Sequence, residues 1–324
     1  MSSKKKSNKS LDFTIVEGNP APTGGTVSWA DCGDGIDIRT AYWPVPKDVT
    51  FKGSVLFVGG RTEYIEKYFE SYQQLLDRGY SVAAFDWRGQ GLSTRECDDH
   101  DMGHIDDFDD YLEDFTKVYE TVLKDKMAGP RHMIAHSMGG LNAIGFVHDH
   151  PDVFASLILS GPMVGIEVPK PQMMILAVLA RLRGLFVSNK TYALGAGPYD
   201  EDNVKFDNNG LTHDQTRFDI NVALNDANKD LRLGGITFGW ALAALKSMKM
   251  INKKSYIDEI KLPILCCVGK KDFVVSQQQV AIWADNCKNC RLEELDGCAH
   301  EILRETDEVQ KKFWSFFDEH ITQF

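Results

Sequence analysis

P-R-H-M-I-A-H-S-M-G-G-L, residues 130–141, decides how the rest of the chain is read. A short apolar strand over residues 132–135 runs straight into Ser137. Gly139 and Gly140 follow, and a helical pattern then begins. This is the form of a nucleophile elbow. The strand-to-helix turn is so tight that the serine sits in a strained backbone conformation, with its Oγ pushed out above the sheet. The residues two positions either side must be small to avoid collision. The usual pattern is G-x-S-x-G. Here Ala135 takes the first position, a methyl where smallness is required. The competing reading is a chance Ser-Gly turn ahead of a helix, and the flanking strand and helix favour the elbow.

With 324 residues the chain can build one large core carrying an insertion. Its 43% apolar and 26% charged residues are ordinary for a globular protein. A net charge of −11 argues against a nucleic-acid footprint. No apolar run is long enough to span a bilayer. The N-terminal M-S-S-K-K-K-S-N-K-S has no apolar stretch behind it, so it reads as a tail and not as a secretory signal. Residues 1–24 are assigned to this disordered basic tail. A weak affinity of Lys4, Lys5 and Lys6 for anionic lipid is the minority reading. The seven scattered cysteines are expected to be reduced thiols. Cys287 and Cys290 have C-x-x-C spacing but no second pair follows, so no metal site is expected.

Residues 26–29 and 36–42 alternate as an antiparallel hairpin around D-C-G-D-G. Residues 53–58, 81–85, 132–135 and 155–159 are short apolar runs, and helical patterns separate most of them. Such runs fit strands buried on both faces of a parallel sheet, joined by right-handed crossovers. The acidic stretch 96–114 reads as a solvated loop leading into a helix over 108–124, whose first turn favours carboxylates. His104 is expected to brace that region. The strand rhythm stops at Met163 and resumes at residues 263–269, with a last strand at 290–295 and a closing helix at 303–321. The intervening segment is far too long for a loop, so residues 163–251 are assigned to an inserted, mainly helical cap. Residues 25–162 and 252–324 form the two parts of the core.

A serine hydroxyl attacks only when a base takes its proton, and that base is usually a histidine oriented by a carboxylate. In an open α/β sheet carrying such an elbow, the order is Ser, then Asp or Glu, then His, each at the C-terminal end of a strand. Asp272 follows the strand 264–268 and His300 follows the strand ending near Leu295. Asp296 and Glu301 are rival acids, but they lie too near His300 in sequence to reach its far nitrogen easily. His148 and His150 fit a helix end, and His136 is expected to point away from Ser137. The oxyanion hole needs two backbone N–H groups. Met138, after the nucleophile, supplies one. The turn after Val58, where Gly59 and Gly60 allow close approach, supplies the other through Arg61.

The chain from about residue 25 onward resembles the bacterial lysophospholipase and monoacylglycerol lipase branch of the α/β-hydrolases, in the serine aminopeptidase-like family. The resemblance rests on G-G-R-T-E-Y-I-E-K-Y (59–68), D-W-R-G-Q-G-L-S (86–93), G-H-I-D-D-F-D-D-Y (103–111), A-H-S-M-G-G (135–140), S-G-P-M (160–163), V-G-K-K-D (268–272) and A-H-E-I-L (299–303). N-G-L-T-H-D (209–214) and L-G-G-I-T-F-G-W (233–240) extend it into the cap. It implies an α/β-hydrolase fold, a triad of Ser137, Asp272 and His300, and the Arg61 turn as oxyanion donor. The monoglyceride-lipase spelling H-G-x-G is absent, with Gly59 and Thr62 in its place, and the G-R-x-E form resembles the lysophospholipase side.

The expected function is therefore a serine hydrolase cleaving carboxylic esters of lipids, a lysophospholipase first. A monoacylglycerol lipase or general carboxylesterase is the runner-up. A non-catalytic ligand-binding relative is the reading from another class. Dehalogenase and epoxide-hydrolase chemistry is disfavoured, because those enzymes place aspartate at the elbow. No cofactor is expected, and the expected partner is a lysophospholipid or monoacylglycerol substrate. The expected location is the cytoplasm, with peripheral contact at the inner membrane face as the alternative. That contact would use residues 173–187, M-M-I-L-A-V-L-A-R-L-R-G-L-F-V, as an apolar lid whose arginines reach headgroups, against the plainer reading of a packed cap helix.

Overall fold

The computed structural model of the protein describes residues 9–167 and 189–324. Its centre is an eight-stranded sheet of β1 (Thr26–Gly33), β2 (Ile36–Trp43), β3 (Gly53–Val58), β4 (Tyr80–Phe85), β5 (Arg131–His136), β6 (Ser156–Ser160), β7 (Ile264–Gly269) and β8 (Cys290–Leu295). The order across the sheet is β1-β2-β4-β3-β5-β6-β7-β8. β1 pairs antiparallel with β2 and β2 with β4, and every other pairing is parallel. From β3 the chain turns to β4 on one side and then crosses to β5 on the other. The crevice beyond the C-terminal ends of β3 and β5 is thus the switch point where open α/β sheets bind ligands.

Every residue of β3, β4, β6 and β7 is buried, as strands covered on both faces must be. Alternate side chains divide between two cores. Val55 and Phe57 face α1 (Phe69–Asp77) and the C-terminal helix Asp307–Ile321, with Tyr72, Leu75, Phe313 and Phe317 around them. Leu56 and Val58 face α2 (Asp109–Val118) and α3 (Met138–Asp149), with Phe115, Leu141 and Ile144. α2 runs into a single π turn, Tyr119–Leu123, so the helix expected over 108–124 is there in two geometries.

Three expectations change. Residues 10–22, assigned to the tail, lie against the fold. The Phe13 ring stacks on Trp43 at 5.2 Å, Trp43 Nε1 donates to the Pro22 carbonyl, and Asn19 donates to the Glu66 carbonyl. Polar composition hid these few anchoring side chains. The acidic stretch 96–114 does more than face water. Asp114 takes a bidentate pair from Arg88, and the Asp99 carboxylate accepts from the Tyr192 hydroxyl.

The third change lies in the insertion. α4 (Gln215–Ala227), capped by Asp214, lies near the turn Ile65–Tyr68. α5 (Phe238–Ile251), capped by Thr237, packs on α3 and buries Trp240, Ala243, Ala244 and Met248 in the main core. Although assigned to the cap by its place in the chain, α5 is a core helix by its contacts. Its small residues allow that approach. His104 Nδ1 reaches Thr237 Oγ1 at 2.8 Å, so His104 braces the start of α5. Residues 173–187, the expected lid, lie outside the described residues. α6 (Gln277–Asn286) and α7 (Asp307–Ile321) complete the second half. Among the described residues no helix is long and apolar enough to cross a membrane, and no group of His, Cys, Asp or Glu is placed to hold a metal ion.

Candidate active site

Ser137 sits between β5 and α3 with φ 52° and ψ −118°, in the left-handed half of the map that costs a non-glycine residue about 1–3 kcal/mol. The surroundings hold it there. Its N–H donates to the Ser160 carbonyl, and its own carbonyl accepts from Met163 and Leu141. A Cβ on Gly139 would come within 2.3 Å of the Gly59 carbonyl oxygen, so the second small position of the elbow admits only glycine. Ala135 lies fully buried inside β5 between Val58 and Leu159, and its methyl is accommodated.

The three residues expected to act together meet. His300 Nε2 lies 2.9 Å from Ser137 Oγ, and His300 Nδ1 lies 2.7 Å from Asp272 Oδ2. The other oxygen of Asp272 accepts the N–H groups of Val274 and Val275 at 2.8 and 3.0 Å, which fixes the plane of the carboxylate. All three side chains are buried. The rival acids are engaged elsewhere: Asp296 pairs with Lys270 at the surface, and Glu301 pairs with Lys67 at 2.6 Å. His148 lies between Asp149 and Glu259, and His150 faces Thr116.

The turn after β3 shows which amide is free. Gly60 N–H donates to Glu63 Oε2 at 2.5 Å, and Thr62 N–H donates to Gln90 Oε1 at 2.6 Å. Among the described residues the intervening Arg61 N–H has no acceptor, and neither has the Met138 N–H at the first position of α3. Gln90 also rests its amide nitrogen on Met138 Sδ at 3.8 Å, so one side chain ties the turn after β3, through Thr62, to Met138.

Sequence reasoning missed Glu63, Gln90 and the closeness of the His136 ring to that of His300. Glu63 also accepts from the Tyr68 hydroxyl at 2.6 Å and from Lys67 at 3.0 Å, and Lys67 bridges onward to Glu301 beside His300. Burial alone would push the Glu63 carboxyl up; Lys67, His136, the Tyr68 hydroxyl and the Gly60 N–H bring it down to about 2. A carboxyl depressed on folding stabilises the ionised fold at neutral pH. That contribution is lost as pH falls from the ordinary carboxylate range through about 2. His136, expected to point away from Ser137, is buried: its Nδ1 faces the Ser160 carbonyl at 2.9 Å and its ring lies 4.7 Å from that of His300. Burial holds it below the usual histidine range, against the pull of Glu63, so it stays neutral at pH 7. The signal for Glu63 was present as Glu63 and Lys67 at helical spacing after a double glycine.

Removing this carboxylate tests its effect on the turn. Glu63→Ala is expected to lower kcat for a soluble ester by about 10²-fold, the scale of losing one oxyanion donor, with little change in KM. A lowered melting temperature with unchanged kcat would show that Glu63 only stabilises the fold.

The family model for serine aminopeptidase, S33, matches residues 50–307. The chain belongs to this family. It is 30% identical over 257 residues to a protein of Haemophilus influenzae named "Probable lysophospholipase L2", a match covering 79% of this chain and 80% of that protein. It is 27% identical over 277 residues to lysophospholipase L2 of Escherichia coli strain K12, covering 82% and 80%. Among solved structures it resembles a soluble variant of monoglyceride lipase from Saccharomyces cerevisiae bound to a substrate analogue. That match has a TM-score of 0.72 and 21% identity, over 93% of this chain and 97% of that one. The chain therefore has the α/β-hydrolase fold with a helical insertion, and is a serine-hydrolase-like member of it, related to lipases and esterases.

Proposed function

We propose that this S33 family member is a lysophospholipase working through an acyl-enzyme on Ser137. The observation that carries the hydrolase reading is the hydrogen-bonded series Ser137, His300, Asp272 beside two unengaged N–H groups. His300 Nε2 takes the Ser137 proton as Oγ attacks the ester carbonyl. The negative oxygen that develops is held by the Arg61 and Met138 N–H groups. His300 then gives its proton to the departing glycerol oxygen, and water cleaves the acyl-serine by the same route in reverse. Asp272 fixes the tautomer of His300 and stabilises its cationic form.

The names of the two bacterial relatives support a lysophospholipid over other esters. The test compares kcat/KM of the purified protein on a lysophosphatidylcholine, a monoacylglycerol and a phosphatidylcholine sharing one acyl chain, and on an aminoacyl p-nitroanilide. The lysophospholipid is expected to give the highest value and the anilide none. A higher value for the monoacylglycerol would move the assignment to a monoacylglycerol lipase.

A further inference from the structure

Arg61 carries more than an amide. Its guanidinium lies over the indole of Trp240, 5.5 Å from the ring centroid, and donates to the Gly234 carbonyl at 2.7 Å. Among the described residues its buried Nε has no hydrogen-bond partner. Gly103 makes room for it, since a Cβ there would come within 2.7 Å of the terminal nitrogen. The guanidinium thus occupies the seam between the loop ahead of α2 and the segment leading into α5.

No carboxylate neutralises it. Among the described residues Arg61 forms no ion pair, and the stretches 1–8 and 168–188 contain no Asp or Glu. A second guanidinium opposes it: Arg95 is close enough to disfavour its charge, and among the described residues Arg95 itself donates only to the backbone carbonyls of Gly91, His100, Asp230 and Arg232. Burial, joined by Arg95, lowers the Arg61 guanidinium to about 10, which still leaves it charged at neutral pH. A half-buried cation without a counter-ion is costly, and an arriving anion that makes charge-assisted hydrogen bonds to it reduces that cost.

Position then says which anion. In a lysophospholipid the ester carbonyl carbon and the phosphorus are separated by as many single bonds as the Arg61 amide nitrogen and its own guanidinium carbon. A substrate whose carbonyl oxygen meets the Arg61 N–H can therefore lay its phosphodiester along the Arg61 side chain. A monoacylglycerol ends in a hydroxyl one bond short of that reach and has no charge to offer. We infer that the Arg61 side chain is the phosphodiester-binding group, so that one residue holds the oxyanion through its backbone and selects lysophospholipid over monoacylglycerol through its guanidinium. This rests on the ester-hydrolase reading above.

The readout is a ratio, because any change at Arg61 can also shift the turn. Arg61→Met keeps most of the apolar stem against Trp240 and removes the charge. It is expected to lower the ratio of kcat/KM for lysophosphatidylcholine to kcat/KM for the matching monoacylglycerol by about 10- to 100-fold, the scale of a charge-assisted hydrogen bond lost, mainly through KM. Arg61→Lys should restore part of the ratio. Labelling of Ser137 by a fluorophosphonate confirms that each variant is folded and reactive. An unchanged ratio in Arg61→Met, whether both rates fall together or neither does, would overturn the assignment while leaving the lysophospholipase reading intact. A wild-type protein inert to lysophosphatidylcholine would defeat that reading itself and the phosphodiester site with it. Inorganic phosphate is added as a competitor of p-nitrophenyl butyrate turnover. Inhibition that Arg61→Met abolishes, with the ratio unmoved, would reassign the site to free phosphate.

Discussion

Ser137→Ala should end ester hydrolysis, with kcat falling by about 10⁶-fold, the scale seen when a nucleophilic serine of this kind is removed. The protein should remain folded. Alanine keeps the Cβ, so the strain of φ 52° is unaltered, and the backbone bonds to Ser160, Met163 and Leu141 involve no side-chain oxygen. What is lost is the Oγ facing His300 Nε2 at 2.9 Å. Three measurements on one preparation decide it: p-nitrophenyl ester turnover, fluorophosphonate labelling and the melting temperature. Turnover well above background by a folded variant would remove Ser137 from the mechanism.

Asp272→Asn should cost about 10⁴-fold in kcat, as in the well-studied serine triad, and the geometry gives the reason. The carboxylate oxygen that accepts from Val274 and Val275 would be kept as the amide oxygen of asparagine, since those N–H groups need an acceptor. The amide nitrogen would then face His300 Nδ1 and donate to it. With Nδ1 made an acceptor, the proton moves to Nε2, and His300 can no longer accept from Ser137. Asp296→Asn is the control, because it loses only an exposed bridge to Lys270. A larger loss in the control than in Asp272→Asn would place the acid elsewhere.

The sequence allowed the strands to be drawn closely because a strand buried on both faces has little choice but a short apolar run. Residues 53–58 and 290–295 were bounded as the structure bounds them. Ser137, Asp272 and His300 were legible for another reason: chain order and strand ends constrain where a triad can lie. The same topology pointed to the Arg61 and Met138 N–H groups, which have no acceptor among the described residues. Gln90 was not legible, since its effect depends on which loops meet above the sheet; for Glu63 the sequence carried only its i,i+4 spacing to Lys67, which does not reveal the bond to Gly60 or the link to Glu301. α5 was placed with the cap because its position in the chain lies between β6 and β7, whereas its packing is decided by small residues facing α3. Residues 10–22 looked like tail because stacking by one phenylalanine and hydrogen bonds made largely through backbone groups leave almost no compositional trace.

The bridge from Gly60 through Glu63 and Lys67 to Glu301 joins two loops that are remote in sequence, one bearing the proposed oxyanion donor Arg61 and the other the proposed base His300. In water, solvent dipoles must turn to meet a charge as it forms, and that rotation is a large part of the barrier. Under the proposed mechanism the Arg61 N–H is already aimed at the oxyanion, and the tie that holds its turn is buried and ionic. The reorganisation has taken place once, when the chain folded, and need not be repeated in each turnover. A substrate then meets a site whose polarity is fixed in advance. Drift of either loop alone would have to pull a buried lysine away from one of its two carboxylates.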